Sequence, residues 1–274
     1  MKDIRGLLRL AIKASVYAGK EILEVYDRDD FKITSKEDKT PLTLADSRAH
    51  NKIIEYLDQT NIPVLSEEGI HLPYEDRKKW DYFWLVDPLD GTKEFIKRNG
   101  EFTVNIALIE KNTPMAGVIY VPVSKILYFA NGDQGAYKIT DVEYDDFDDL
   151  DFEVIRSNAQ KLPLVDFERS FTVVGSRSHM SEETEKFIIG LKEEHDNLEM
   201  ISIGSSLKQC MIAEGKADIY PRFGPTMEWD TGAGHAIVNA SGGCITKVDG
   251  TPLVYNKENL LNPHFIVKGN LFDC

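Results

Sequence analysis

The chain has few cysteines, fewer basic than acidic residues, and no long apolar run. Its 274 residues include only 3 cysteines, which are widely separated and form no CxxC pair. This scarcity argues against a disulfide framework and favours a reducing compartment. Because no run of ~18 apolar residues occurs and the charged N-terminus does not resemble a secretory signal, we expect no transmembrane segment. We therefore predict a cytoplasmic protein and leave peripheral attachment to the inner membrane open.

Basic residues are outnumbered, with 32 Lys and Arg against 46 Asp and Glu and a net charge of −14. This excess of acid argues against a surface that binds nucleic acid polymers. It does not exclude a small anionic ligand, because bound cations reverse the charge of an acidic site. The chain is otherwise typical of a globular protein and is long enough for two domains.

Hydrophobic periodicity predicts helices first, then a run of strands, and then strands that alternate with helices. Helices are expected at 4–26, 41–60, 183–191, 205–214 and 231–240, and strands at 63–66, 82–86, 102–109, 115–120, 126–130, 136–139, 171–175, 200–203 and 217–220. The acidic run 141–153 is interpreted as a solvated linker or edge loop. We predict an N-terminal α+β domain over 1–153 and a C-terminal α/β domain over 154–274.

The main chemical signal follows Trp84, where an apolar strand gives way to Asp87-Pro88-Leu89-Asp90-Gly91-Thr92. Carboxylate oxygens at a strand end suit a divalent cation, and the free N–H groups of a helix that starts at Gly91 suit a phosphate. Glu67 and Asp230 are further acidic residues predicted at strand ends. Carboxylates ~5 Å apart repel each other by roughly 3 kcal/mol per pair, so clustering implies bound cations.

Two alternatives concern individual aspartates. The pair Asp87 and Asp90 could be mistaken for the Asp-x-Asp-x-Thr signature of phosphatases that form an aspartyl phosphate, but the spacing is one residue too long. Attack by a water molecule activated by metal ions is therefore preferred. Asp46 is either a helix-cap or surface carboxylate, or the group that accepts a proton from Thr92.

The chain resembles the inositol monophosphatase superfamily in three segments. In chain order these are Ser66-Glu67-Glu68-Gly69, Asp87 to Thr92, and Trp229-Asp230-x-Gly232-Ala233-Gly234. Its members are lithium-sensitive, magnesium-dependent phosphatases. The resemblance covers nearly the whole chain. It implies the layered αβαβα sandwich of the sugar phosphatases, a combination of α+β and α/β parts.

The resemblance also implies a role for each matching residue. The implied metal ligands, for two or three Mg²⁺ ions, are Glu67, Asp87, Asp90, Asp230 and the carbonyl of Leu89. Thr92 and Asp46 match the pair that orients the nucleophilic water, and Glu67 and Asp90 complete the implied catalytic set. For Asp46 the resemblance favours function over the cap.

Segments in the second half resemble one branch, the 3'(2'),5'-bisphosphate nucleotidases, which hydrolyse adenosine 3',5'-bisphosphate to AMP and phosphate. These segments are Ser176-Arg177-Ser178-His179, Gly204 to Lys208, and Tyr220-Pro221-Arg222-Phe223. The implied substrate contacts are Glu67, Leu89, Asp90, Gly91, Thr92, Ser176, Arg177, His179, Ser205, Lys208, Arg222 and Asp230. The branch implies a place in sulfur assimilation and 3'-phosphoadenylyl sulfate as a second substrate.

Three other functions stay open. The same machinery would serve an inositol or sugar monophosphate phosphatase, although Arg222 and the segment around Arg177 favour a bisphosphate. A non-catalytic sensor of nucleotide or metal, and an acidic interaction protein that uses residues 141–153, are the alternatives from other classes. We expect a small-molecule partner and either a monomer or a homodimer.

Overall fold

The fold is taken from a computed structural model that describes residues 3–27, 44–70, 72–147, 150–164, 169–176 and 181–272. The helices are α1 (Ile4–Tyr26), α2 (Leu44–Leu57), α3 (Tyr74–Arg77), α4 (Thr92–Ile96), α5 (Phe152–Ser157), α6 (Glu182–Glu194), α7 (Leu207–Ala213) and α8 (Glu228–Ala240). The strands are β1 (Val64–Ser66), β2 (Tyr82–Asp90), β3 (Thr103–Glu110), β4 (Thr113–Val121), β5 (Ile126–Asn131), β6 (Gly135–Ile139), β7 (Gln160–Lys161), β8 (Thr172–Ser176), β9 (Glu199–Ile203), β10 (Ile219–Arg222), β11 (Cys244–Lys247) and β12 (Phe265–Lys268).

Two sheets alternate with three layers of helices. The first sheet has seven strands in the order β1 to β7, and the second has five in the order β11-β12-β10-β8-β9. Helices α1 and α2 cover the outer face of the first sheet, α7 and α8 lie between the sheets, and α6 covers the second sheet. The predicted αβαβα sandwich is confirmed.

Three apolar cores lie between the layers in the described part of the chain, which explains why the helices are amphipathic. Helix α1 begins and ends where its periodicity predicts, and Leu8, Ile12 and Val16 lie on its buried face. Their burial against β3 and β4 contributes roughly 1.5–3 kcal/mol for each large aliphatic side chain. A second core extends from the first sheet around α7 and α8 to the second sheet, and a third lies between the second sheet and α6.

Helix α8 approaches the first sheet closely because it carries a glycine at the contact. A Cβ atom at Gly232 would lie 2.8 Å from the side chain of Leu85 on β2. The absence of a side chain therefore lets the first turn of α8, which includes Asp230, lie next to the end of β2.

Several boundaries differ from those expected. Strand β2 continues past Val86 to Asp90, because a bulge absorbs Pro88. Asp230 lies in the first turn of α8, not at a strand end, since this helix starts three residues earlier than its apolar pattern indicates. The second helix is described from Leu44, and residues 41–43 lie outside the described part.

The acidic segment 141–153 is more anchored than a solvated loop, apart from residues 148 and 149, which lie outside the described residues. Val142, Phe147 and Phe152 are buried in the first core. Strand β7 then adds residues 160–161 to the first sheet, beyond the predicted domain boundary at 153. The division into two domains stays a prediction.

The cysteines behave differently from one another. Cys210 is a free, buried thiol on α7, whereas Cys244 is disulfide-bonded. A disulfide at Cys244 was not expected from so few and so widely spaced cysteines, and the reducing compartment and cytoplasmic location stay predictions. None of the helices in the described ranges is both long and apolar enough to span a membrane.

Candidate active site

The site begins at a bulge in β2. Asp87 pairs with Asn105 of β3 and Asp90 pairs with Thr103, but the register shifts between them. Pro88 has no N–H to donate to the ladder, and the N–H of Leu89 donates to the Asp87 carboxylate at 3.1 Å. The bulge therefore directs carboxylates from both ends of a short segment towards one region.

Carboxylates from three segments converge there. The N–H of Glu67, just after β1, donates to the carbonyl of Val86 at 3.1 Å, which places Glu67 beside Asp87. Helix α8 brings Asp230 from the opposite direction. Among the described residues, Glu67, Asp87 and Asp230 each offer a carboxylate oxygen, and these oxygens all lie within 4.8 Å of one another. An all-oxygen donor set of this kind fits a hard divalent cation.

The electrostatics of the cluster also fit a cation. Burial is the largest cause that raises the pKa of Asp230 to about 8, the charge of Asp90 raises it further, and a hydrogen bond from the Met227 N–H opposes the shift. Desolvation, followed by the charge of Asp90, raises the pKa of Glu67 to about 7. Burial raises the pKa of Asp87 well above its usual range. Without a cation these groups resist ionisation, and a bound divalent cation would remove that penalty.

These shifts predict how pH affects the stability of the metal-free protein. In the unfolded chain, Glu67 and Asp230 lose their protons at the ordinary pKa values of carboxyl groups. In the folded, metal-free protein they keep these protons to a higher pH, because their pKa values are raised to about 7 and about 8. The free energy of unfolding in chelator should therefore fall as the pH rises from about 5.5 to about 7.5. The change should be smaller in Asp230→Asn, and thermal melts of both proteins with and without Mg²⁺ measure it. Equal pH dependence of the two proteins in chelator would contradict the prediction.

Asp90 lies beside this cluster and is held by two polar side chains. The hydroxyl of Ser206 donates to Oδ2 of Asp90 at 2.7 Å, and Nδ2 of Asn105 lies 3.4 Å from the same oxygen. The negative charge of Asp90 acts on Glu67, Asp87 and Asp230. Asp90 is thus electrostatically part of the site.

The tip after β2 is shaped by Gly91, whose φ of 97° is in the left-handed region. A Cβ there would lie 3.2 Å from the carbonyl of Glu101 and 3.3 Å from Cβ of Ser205, so a larger residue would be strained and crowded. Helix α4 then starts at Thr92. Gly91 and the first residues of α4 line a cleft beside the carboxylates.

Asp46 lies in the first turn of α2, near enough to the carboxylates for its charge to act on them. Its side chain is buried, and its charge contributes to the raised pKa values of Glu67, Glu68 and Asp87. A surface position is therefore excluded. Burial is the main cause that raises the pKa of half-buried Glu68 to about 6.

A cleft of about 250 Å³ opens from the carboxylates towards the second sheet. Of the predicted site residues, it is lined by Asp90, Gly91, Thr92, Ser205, Lys208, Arg222 and Asp230. Glu67 and Asp87 are not among the lining residues but lie next to Asp230, and the charge of Asp46 acts on both of them. Ser176 ends β8, and Arg177 and His179 lie outside the described residues.

On the side of the second sheet the cleft is lined by Lys208, Tyr220, Arg222 and Phe265, which we call the far wall. Two of these side chains are cationic, in a protein of strongly negative net charge. The Lys208 ammonium lies 2.5 Å from the carbonyl of Ser205 and 5.6 Å from the centre of the Tyr220 ring. Burial is the main cause that lowers the pKa of Lys208 to about 8. The guanidinium of Arg222 donates to the carbonyl of Pro225, and its buried Nε has no hydrogen-bond partner in the described structure. Both groups can therefore receive an anion.

Sequence reasoning missed several residues at the site. Ser206 and Asn105 contact Asp90, and Tyr220, Gln209 and Thr226 line the cleft. Asn105 had a signal, since it is a polar residue in an otherwise apolar strand. Ser206 lies inside the segment Gly204 to Lys208 that carries the resemblance, but only its neighbour Ser205 was predicted to contact the substrate.

Comparison with known proteins decides the family. The inositol monophosphatase family matches residues 3–271 of the chain. The chain belongs to the inositol monophosphatase family. The similar structures include CysQ from Bacteroides thetaiotaomicron, which is 49% identical, covers 98% of both chains and superposes with a TM-score of 0.93. An inositol monophosphatase from Anabaena is 22% identical with a TM-score of 0.72 and supports the fold alone.

Two similar curated proteins share one name. A protein from Salmonella typhimurium is 45% identical over 91% of this chain and 94% of its own length, and is named 3'(2'),5'-bisphosphate nucleotidase CysQ. The protein from Escherichia coli strain K12 with the same name is 44% identical over the same shares. The expected branch is therefore confirmed, whereas the roles of the individual site residues stay predictions.

Proposed function

We propose that this chain is a phosphatase that removes the 3'-phosphate of adenosine 3',5'-bisphosphate and releases AMP and phosphate, with Mg²⁺ as the cofactor. The observation that carries the proposal is the set of carboxylate oxygens within 4.8 Å of one another, at one end of a cleft whose far wall holds Lys208 and Arg222. A substrate with two phosphates matches both ends. The names of the relatives support the same substrate.

Each end of the cleft has a separate task in this proposal. Glu67, Asp87, Asp90 and Asp230, with the carbonyl of Leu89, hold the cations. Divalent cations, when bound, lower the pKa of water and neutralise negative charge on phosphate. The N–H groups of Gly91 and Thr92 bind the phosphate that is cleaved. Thr92 and Asp46 orient the attacking water, whose oxygen bonds to phosphorus as the bond between phosphorus and the 3'-oxygen breaks. The proton that the water loses passes by way of Thr92 to Asp46, and the departing 3'-oxygen takes up a proton to become the 3'-hydroxyl of AMP.

The far wall would bind the second phosphate and the nucleoside. Lys208 and Arg222 supply positive charge there, and Tyr220 and Phe265 supply aromatic surface. Ser176, Arg177 and His179 are proposed as further substrate contacts. The sulfated nucleotide 3'-phosphoadenylyl sulfate has the same two charged ends and is proposed as a second substrate.

A panel of phosphate-release assays tests the proposal. Adenosine 3',5'-bisphosphate should be hydrolysed with Mg²⁺, inhibited by lithium, and inert in chelator. Faster hydrolysis of inositol 1-phosphate would instead support a monophosphate phosphatase, which the fold also permits. Saturable binding of the bisphosphate without phosphate release would favour the sensor.

Arg222 provides a prediction about specificity. In Arg222→Met, kcat/KM for adenosine 3',5'-bisphosphate should fall by about 10- to 100-fold, because a charged hydrogen bond contributes roughly 1.5–3 kcal/mol. The same change should have little effect on adenosine 3'-monophosphate, which lacks the second phosphate. Arg222→Lys keeps the positive charge, so its kcat/KM for adenosine 3',5'-bisphosphate should lie between those of the wild type and Arg222→Met. Equal losses on both substrates would contradict a contact with the second phosphate.

A further inference from the structure

Ser206 contacts both cation-binding parts of the site. It precedes α7, and its side chain is buried with 4% exposed. Its Oγ lies 2.7 Å from Oδ2 of Asp90, at the end of β2, and 3.0 Å from the backbone carbonyl of Asp230, in the first turn of α8. A single hydroxyl thus connects residues from two layers of the fold.

Asn105 fixes the direction of this hydroxyl. Nδ2 of Asn105 donates to Oγ of Ser206 at 2.9 Å. Oγ of Ser206 accepts this hydrogen bond through a lone pair. The one hydrogen of the Ser206 hydroxyl therefore points to a different group, which must be an acceptor. Of its two acceptors, the carboxylate of Asp90 is nearer and charged, and charge-assisted hydrogen bonds are shorter and stronger than neutral ones. The hydroxyl therefore donates to Asp90.

The burial of Asn105 supports this arrangement. The residue lies on β3, opposite Asp87, with 1% of its surface exposed, and its Oδ1 has no hydrogen-bond partner in the described structure. Such an unpaired acceptor costs about 1–3 kcal/mol. Rotating the amide would not help, since its oxygen would then face the Asp90 carboxylate. This buried amide therefore contributes to the site through its N–H groups, which donate towards Ser206 and Asp90.

We propose that Ser206, oriented by Asn105, is a positioning residue for Asp90 and sets the affinity of the site for divalent cations. Both donors act on Oδ2 of Asp90, and no donor from the described residues reaches its Oδ1. Oδ1 is therefore the oxygen kept for a cation. The inference rests on the proposed function, because it assumes that Asp90 binds a cation.

The test measures cation binding without substrate, by isothermal titration of the full chain with Mg²⁺. Ser206→Ala should raise the half-saturating Mg²⁺ concentration by about 10-fold or more, as is typical when an outer hydrogen bond to a metal ligand is lost. Ser206→Thr keeps the hydroxyl and should restore binding. Ser15→Ala is the matched control, because Ser15 is a buried serine on α1 whose hydroxyl donates to a carbonyl at 2.8 Å. It should lower the melting temperature and leave the Mg²⁺ midpoint unchanged.

Asn105→Leu gives an independent measurement if Ser206→Ala does not fold. It should also weaken Mg²⁺ binding. Where Ser206→Ala does fold, the effect of Asn105→Leu should be smaller in that background, because part of the action of Asn105 on Asp90 passes through the Ser206 hydroxyl. Folded single variants with the Mg²⁺ midpoint of the wild type would overturn the positioning role while leaving the proposed function intact. A wild-type chain without saturable Mg²⁺ binding would overturn both.

Discussion

Asp90→Asn is expected to lower the turnover of adenosine 3',5'-bisphosphate by at least about 100-fold in a protein that stays folded. The substitution keeps the shape of the side chain and its acceptor oxygen for Ser206, but it removes the negative charge. A neutral amide is a weak ligand for a hard divalent cation. The negative charge that develops on the phosphate and on the leaving oxygen would therefore be less well stabilised by a bound cation. Steady-state phosphate release at saturating Mg²⁺ measures the effect.

Stability separates this effect from misfolding. The negative charge of Asp90 raises the pKa values of Glu67, Asp87 and Asp230, so it opposes folding of the metal-free protein. Asp90→Asn should therefore melt at an equal or higher temperature in chelator and gain less from added Mg²⁺. Asp133→Asn, at an exposed position outside the cleft, is the matched control and should behave like the wild type. Near-normal turnover of Asp90→Asn would reject its catalytic role.

The order of helices and strands was predictable because its signals are local, whereas the layered arrangement was implied by the family resemblance. The apolar spacing over α1 gave both ends of that helix, and the alternation over β3 and β4 gave the first sheet. The ordered motifs with Glu67, Asp87 and Asp230 added the family. Each of these signals depends on neighbours within one helix or strand, or on a motif of a few residues.

The positions that the sequence could not predict depend on contacts between distant segments. Asp230 was expected at a strand end, yet it lies inside the first turn of α8, where it accepts a hydrogen bond from the N–H of Met227 at 2.8 Å. Hydrophobic periodicity places the start of a helix at its first regularly spaced apolar residues. It therefore does not detect a first turn that is largely polar. Ser206 was missed for a related reason, because its partners Asp90 and Asn105 are about 100 residues away in the chain.

The first turn of α8 is itself held by a buried network. Glu228 is fully buried and accepts hydrogen bonds from the backbone N–H groups of Asn256 and Lys257, and it pairs with the Lys257 ammonium at 2.6 Å. The amide of Asn256 in turn accepts a hydrogen bond from Arg77 at 2.8 Å. Asp230, two residues after Glu228, therefore has a fixed backbone, so cation binding does not need to order this turn.

Thr92→Val is expected to lower kcat by about 100-fold while Mg²⁺ binding stays near the wild-type value, because groups that orient and deprotonate a nucleophile contribute roughly 10²- to 10⁴-fold. Valine matches threonine in shape but cannot hold a water molecule. Thr92→Ser keeps the hydroxyl and should retain most of the activity. Since Asp46 is the proposed proton acceptor, Asp46→Asn should add little to the loss in Thr92→Val. A Thr92→Val enzyme with a normal kcat, or losses that multiply fully with Asp46→Asn, would show that the two residues do not act together on the water.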